Sequence, residues 1–370
     1  MVNRRSFIKT SSLLGVVTAA LPLSNLLLAS PKKLNILIMG GTGFLGPHTV
    51  NAALAQGHTV TLFNRGKTNP GLFSQLETII GDRNTSDIQK LVGRQWDAVI
   101  DTSAYFPRSV NSVLEVLEGN IKQYLIVSTI SVYADTSIRG MDETSPTGKT
   151  DSPDTEEITD KSYGPLKALC EQAAEKHMPG RVCVIRPGLI VGPGDKTDRF
   201  TYWPVRIKRG GKVLAPGSGK DFIQYIDVRD LGEWMIYCLN HNIAGTYNAQ
   251  TNAADLTIGR LLETCVEILN PKAELVWVPA DFLKQHQVSP WQDMPAWLPN
   301  DGAYAGMGSM SSTRAYNAGL KEKPMGTVIT DCYEWFTSLP AKRQGRLRAG
   351  ISLERELAIL KLWNKHKNKI

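Results

Sequence analysis

The sequence predicts an α/β fold with a doubly wound parallel sheet and a smaller C-terminal lobe, and three observations predict it. An apolar run, Leu34 to Met39, meets glycines at Gly40, Gly43 and Gly46, and a helical pattern follows from Phe44 to about Gln56. Further short apolar runs then alternate with helical stretches, the rhythm of strands joined by crossover helices. At 370 residues the chain has room for one large domain and a lobe.

The first run is apolar on both alternations, as a strand covered on both faces requires. Glycines at its end allow a tight corner. They also let a pyrophosphate approach bare N–H groups at a helix N-terminus, where the dipole favours anions. This is the Rossmann arrangement, and it makes Gly40, Thr42, Gly43, Phe44, Leu45 and Gly46 candidate dinucleotide contacts.

A second strand, His58 to Phe63, ends at Asn64-Arg65. NAD-preferring folds place a carboxylate here for the ribose hydroxyls. Asn64 and Arg65 instead suit a 2′-phosphate, so NADP is favoured over NAD. Glu77 to Ile80 reads as the third strand, and Asp82 beyond it is a candidate for the adenine amino group or a plain turn aspartate. A short helix near Ser86 to Val92, a fourth strand (Trp96 to Thr102), a helix from about Arg108 to Leu117 and a fifth strand (Gln123 to Val127) follow. Ligands in such sheets lie beyond the carboxyl ends of the strands.

The fifth strand ends at Ser128-Thr129, and after a polar loop, Ala134 to Lys161, comes Tyr163-Gly164-Pro165-Leu166-Lys167. Pro165 suits a first helical turn. Tyr163 and Lys167 then share a helix face. A cationic Lys167, with a ribose hydroxyl, is expected to lower the phenol's pKa toward neutrality. Tyr163 is therefore the candidate general acid/base, Lys167 its tuner and Thr129 the group that holds the reacting oxygen.

These residues resemble the short-chain dehydrogenase/reductase superfamily, extended type, in its NAD-dependent epimerase/dehydratase branch, over roughly residues 34–340. Gly40/Gly43/Gly46, Thr129, Tyr163 and Lys167 match its nucleotide turn and catalytic set. Arg186-Pro187 and Lys220-Asp221-Phe222-Ile223 match later segments, and the resemblance places Pro187 beside the nicotinamide. It implies a nicotinamide cofactor and a carbohydrate alcohol or ketone as substrate, turned over by an oxidoreductase or epimerase. Three departures narrow this. Ile130-Ser131 stands where the dehydratases carry Asp-Glu, so dehydration is not expected. Lys220 stands where epimerases commonly carry an arginine for the substrate pyrophosphate, and it lacks the bidentate fork. Asn64-Arg65 replaces the usual aspartate, a feature similar to the branch that includes chloroplast stem-loop RNA-binding proteins. The rival reading is a non-enzymatic RNA- or cofactor-binding protein on the same fold.

The domain reading is a signal segment (1–31), a mainly dinucleotide-binding domain (32–199), a mixed remainder with the substrate lobe (200–340) and a basic C-terminal helix (341–370). Asn3-Arg4-Arg5-Ser6-Phe7-Ile8-Lys9 resembles a twin-arginine export signal, and the stretch after it is too polar for a firm membrane span. No Ala-x-Ala site stands out, so a cleaved signal and an uncleaved anchor are both open. That route carries folded proteins to the periplasm, and it predicts a partner in the export machinery and a tightly held cofactor.

Arg4, Arg5, Lys9, Lys32 and Lys33 give the first 33 residues +5, and the last 30 carry +7, so with a net charge of +7 the body between is −5. That balance argues against nucleic-acid binding by the folded body. Five scattered cysteines without a Cys-x-x-Cys pair argue against a disulfide framework or a zinc site, and no metal is expected.

In the C-terminal half, Phe200, Tyr202 and Trp203 beside Arg206 suit either a sugar-stacking wall or aromatic core. Trp277 to Gly308 shows no helical period and reads as a loop-rich cover. Ser352 caps a last helix whose stripe, Leu353, Leu357, Leu360 and Trp363, is expected to dock on the body. Monomer and homodimer are both compatible with the chain.

Overall fold

The computed structural model describes residues 32–252 and 256–368. The twin-arginine motif and the stretch after it lie outside the described residues.

Strand β1 (Asn35–Met39) lies in the interior of a seven-stranded, all-parallel sheet. Helix α1 (Leu45–Ala55) leads to β2 (Thr59–Asn64) and then β3 (Glu77–Ile80) on one side. On the other side come β4 (Trp96–Asp101), α2 (Pro107–Leu117), β5 (Ile121–Val127), α3 (Tyr163–His177) and β6 (Val182–Pro187). Within this sheet the order β6-β5-β4-β1-β2-β3 reverses between β1 and β4, which opens a crevice at their carboxyl ends. Ile36, Leu37, Ile38 and Met39 are fully buried, as the unbroken apolar run requires. Ile36 and Ile38 pack on one face with α1, while Leu37 and Met39 pack on the other with α2.

Beyond β6 the chain alternates between lobe and sheet. Strand β7 (Leu189–Val191), α4 (Tyr202–Arg209), β8 (Lys212–Pro216) and β9 (Tyr225–Asp227) precede α5 (Val228–Asn240), which packs beside α1. Strand β10 (Gly245–Ala249) returns to the main sheet as its last member, parallel to β6. Then α6 (Ile258–Leu269) and β11 (Glu274–Val278), which pairs with β8, build the lobe. Helix α7 (Ala280–Gln285) follows, so the region read as period-free cover holds both a strand end and a short helix; six residues are too few to show a period. Helices α8 (Thr313–Asn317), α9 (Met325–Ser338), α10 (Ala341–Gln344) and α11 (Leu353–Lys367) complete the chain.

Phe200, Tyr202 and Trp203 are fully buried, so these aromatics are lobe core and not a sugar-facing wall. Arg206 is buried too and donates through Nε to Glu356 on α11, 2.6 Å away, while Glu356 also accepts from the Leu214 amide at 2.9 Å. Removing one partner of such a pair strands a buried charge, at a cost of ~3–5 kcal/mol. This pair corrects the expected docking stripe. Glu356, Ile359 and Trp363 face the body, Leu360 packs partly, and Leu353 and Leu357 are about half exposed, at 50% and 54%. A charged residue sets the rotation of α11, which an apolar tally could not register.

All five cysteines are buried free thiols, and no cluster among the described residues could hold a metal. No helix among the described residues is long and apolar enough to cross a membrane.

Candidate active site

A cavity of about 720 Å³ opens at the carboxyl ends of the strands. Its lining includes the residues anticipated from the sequence for catalysis and cofactor binding: Gly40, Thr42, Gly43, Phe44, Leu45, Gly46, Asn64, Arg65, Asp82, Thr129, Tyr163, Lys167 and Pro187. Lys220 is exposed and lies outside this lining, so the expected place for a substrate pyrophosphate is not built around it.

The corner after β1 is made by Gly40 and Gly41, at φ of 111° and 85°, a region L side chains rarely adopt. The Gly40 amide donates to the Phe63 carbonyl at 2.8 Å. Asn64 pins the same corner, donating to the Gly40 carbonyl (3.1 Å) and accepting from the Gly66 amide (2.8 Å). Asn69 holds the Thr42 carbonyl at 2.8 Å. The amide that ends β2 therefore shapes the loop, and Arg65 beside it is exposed, with no hydrogen-bond partner among the described residues. Asp82 accepts from the Asn84 amide at 3.0 Å, an ordinary turn aspartate that also lines the cavity.

At the cavity wall begins a group that sequence reading missed. Arg83 donates to Asp101 at 2.6 Å and to Ser103 Oγ at 3.0 Å, and Tyr124 donates its hydroxyl to Asp101 at 2.7 Å. Burial pushes the Asp101 carboxyl up, but the Arg83 charge and these bonds outweigh it and hold it below the usual carboxylate range.

On the other side of the crevice, Thr129 accepts from the Ser131 amide at 3.1 Å in a short turn after β5. Helix α3 seats directly on that turn. A Cβ at Gly164 would lie 2.0 Å from the Ser131 carbonyl oxygen, so only glycine after Tyr163 lets the helix come this close. The seating brings Tyr163 and Thr129 to the same wall of the cavity. Lys167, one turn on, is buried; its ammonium donates to the carbonyls of Ala104 and Val127 (2.7 Å to the latter) and lies 5.5 Å from the centre of the Tyr105 ring.

Burial raises the Tyr163 phenol's pKa above its ordinary value; the nearby Thr129 hydroxyl lowers it, Tyr105 raises it, and Arg199 is the cation that lowers it. Lys167 is itself shifted down, first by burial. Its charge is directed onto backbone carbonyls, which sequence spacing could not reveal.

Behind these groups, Glu171 on α3 accepts both arms of Arg186, at 3.0 and 2.6 Å, and the Ser128 hydroxyl. Arg186 continues to the Tyr133 hydroxyl (3.2 Å), which donates to Asn248 at 2.6 Å. The network ties β5, α3, β6 and β10 together, so Thr129 and Tyr163 project from a fixed frame. Sequence reading also missed Asp195, Thr197 and Arg199, which line the same cavity, and it gave no individual role to Trp291 and Met307, which reach the cavity from the segment read as a cover.

A profile of the NAD dependent epimerase/dehydratase family matches residues 36–253. The chain belongs to that family. Among curated proteins, it is 28% identical over 239 residues to the chloroplast stem-loop binding protein of 41 kDa b of Arabidopsis thaliana, covering 60% of either chain. It is 24% identical over 245 residues to mouse epimerase family protein SDR39U1, covering 60% of this chain and 77% of that one. Among solved structures, Bordetella bronchiseptica WbmH in complex with NAD+ superposes with a TM-score of 0.61 at 16% identity, over 83% of this chain and 99% of the other. Human SDR39U1 with NADPH superposes at 0.54 with 20% identity, over 81% and 99%. Such likenesses bear out the parallel, doubly wound sheet.

Proposed function

We propose that this family member is an NAD(P)-dependent oxidoreductase or epimerase that acts on a secondary alcohol or ketone of a carbohydrate. The observation that carries it is the meeting of Thr129, Tyr163 and Lys167 in one cavity with the glycine corner. The cavity fits a dinucleotide: a Cβ at Gly43 would meet no protein atom within 4 Å, which leaves room for a phosphate against bare N–H groups. Solved relatives are described with NAD+ and NADPH, in keeping with this fit.

A bound nicotinamide supplies the hydride donor or acceptor and, when oxidised, a positive charge. The rest falls to the chain. Thr129 holds the reacting oxygen by hydrogen bond. Tyr163 takes the hydroxyl proton on oxidation and returns it on reduction. Since burial holds its pKa up in the free protein, ionisation at neutral pH is drawn out by cationic charge gained on binding. Lys167 has three donors, of which two serve Ala104 and Val127, leaving one for a ribose hydroxyl.

Arg65 is the residue proposed to choose NADP. Its unpartnered guanidinium suits a 2′-phosphate, and such a charged bond contributes ~1.5–3 kcal/mol. Arg65→Ala is expected to weaken NADPH binding about tenfold or more, with NADH binding nearly unchanged, as read by fluorescence titration. Equal weakening of both, or of neither, contradicts this role for Arg65.

The N-terminal motif supports export by the twin-arginine route with nucleotide already inside, since the periplasm offers no expected pool of free NADP. The cofactor is then regenerated within each cycle, as epimerisation allows. Cell fractionation tests the location: recovery only in the cytoplasm overturns it.

A further inference from the structure

Resting on the reading above, we infer that Arg199 and Trp291 form a recognition clamp for an anionic group, a carboxylate or a phosphate ester, carried by the sugar substrate.

Five cations line the cavity: Arg65, Lys67, Arg83, Lys167 and Arg199. Arg83 is paired with Asp101, and Lys167 donates to two carbonyls. Arg65 and Lys67 follow β2, where the fold places the adenosine ribose. Arg199 is different. It lies on the chain beyond β7, in a half-buried position, and its charge is felt by Tyr163. It makes no salt bridge with a carboxylate among the described residues. Its Nε donates to Thr197 Oγ1 at 3.0 Å, and its guanidinium carbon lies 5.6 Å from the centre of the Trp291 ring. Asp195 at the same wall is occupied by the Thr197 amide (2.8 Å) and hydroxyl (2.7 Å).

The clamp is held by backbone that resists relaxation. Asp198 and Trp291 are non-glycine residues at φ of 62° and 65°, a conformation that costs of order 1–3 kcal/mol each and persists where surroundings over-determine it. Asp198 is fully buried and accepts from Arg343 Nη2 at 2.6 Å and from the Arg348 amide at 2.8 Å. The Trp291 amide donates to the carbonyls of Met294 and Trp297, each at 3.1 Å. Two segments distant in sequence are thus fixed so that a guanidinium and an indole share one wall of the cavity near the proposed acid/base. A planar fork with free N–H groups recognises a carboxylate or phosphate, and the indole offers a face for a sugar ring. A neutral sugar would leave the fork without an acceptor.

The test uses the nucleotide-loaded full chain carrying Tyr163→Phe, so that ligands bind without turnover. Glucose, glucuronate and glucose 6-phosphate are titrated by calorimetry. Glucuronate or glucose 6-phosphate is expected to bind at least ~10-fold tighter than glucose, and the better of the two identifies the anion. Adding Arg199→Gln is expected to erase the preference, and Arg199→Lys to retain part of it, because the charge survives without the fork. No preference among the three, no measurable binding of any of them, or a preference that survives Arg199→Gln overturns the clamp. Nucleotide content is measured on the same samples: a failed clamp with nucleotide in place leaves the redox reading standing, whereas nucleotide-free protein that cannot be reloaded removes that reading instead.

Discussion

Tyr163→Phe is expected to lower turnover by ~10²–10⁴-fold while leaving bound nucleotide in place. The ring is kept, so packing against Tyr105, 6.4 Å between centroids, is little changed. Only the hydroxyl is lost. The rate loss arises because the neighbouring titratable groups are otherwise engaged: Lys167 is turned to two backbone carbonyls, and Asp195 is bonded to Thr197. Steady-state kinetics and nucleotide content, measured together, check this. A variant with near-native turnover would remove the role given to Tyr163.

The second large effect separates two glycines of one motif. A Cβ at Gly46 would lie 2.5 Å from the carbonyl carbon and 2.9 Å from the nitrogen of Gly41, backbone atoms that cannot rotate away. Gly46→Ala is therefore expected to destabilise the fold by ~1–3 kcal/mol and to spoil the corner. Gly43 faces open cavity instead, so Gly43→Val is expected to fold normally and to lose about 100-fold in nucleotide affinity, about 2.7 kcal/mol. Thermal melts without ligand and titrations with nucleotide distinguish the two. If Gly43→Val binds as well as the native chain, the phosphates do not rest on this turn.

What was legible in the chain was local. The glycine corner, the alternation of strands and helices and the Tyr163/Lys167 spacing are each written within one turn or one strand, so period and punctuation suffice to read them. The Arg83–Asp101 and Arg206–Glu356 pairs join residues 18 and 150 apart, and no local pattern announces them. Arg199 and Trp291 meet for the same reason, with no shared period. Lys167 was placed on the right helix face, but its partners are backbone carbonyls of Ala104 and Val127, invisible to any reading of side chains. The α11 stripe held at Trp363 and in part at Leu360 but not at Leu353 and Leu357, where a buried carboxylate, Glu356, turns inward instead. Gly164 carried a readable signal, a glycine directly after the candidate acid/base, and the 2.0 Å approach to Ser131 is what it permits.

The most direct test of the central claim is the mass and amount of small molecule released when the purified protein is denatured. A nicotinamide dinucleotide, NADP in preference to NAD, at close to one per chain is the result this account predicts. Protein that releases none, and that takes up neither NADP nor NAD when offered them, would contradict it.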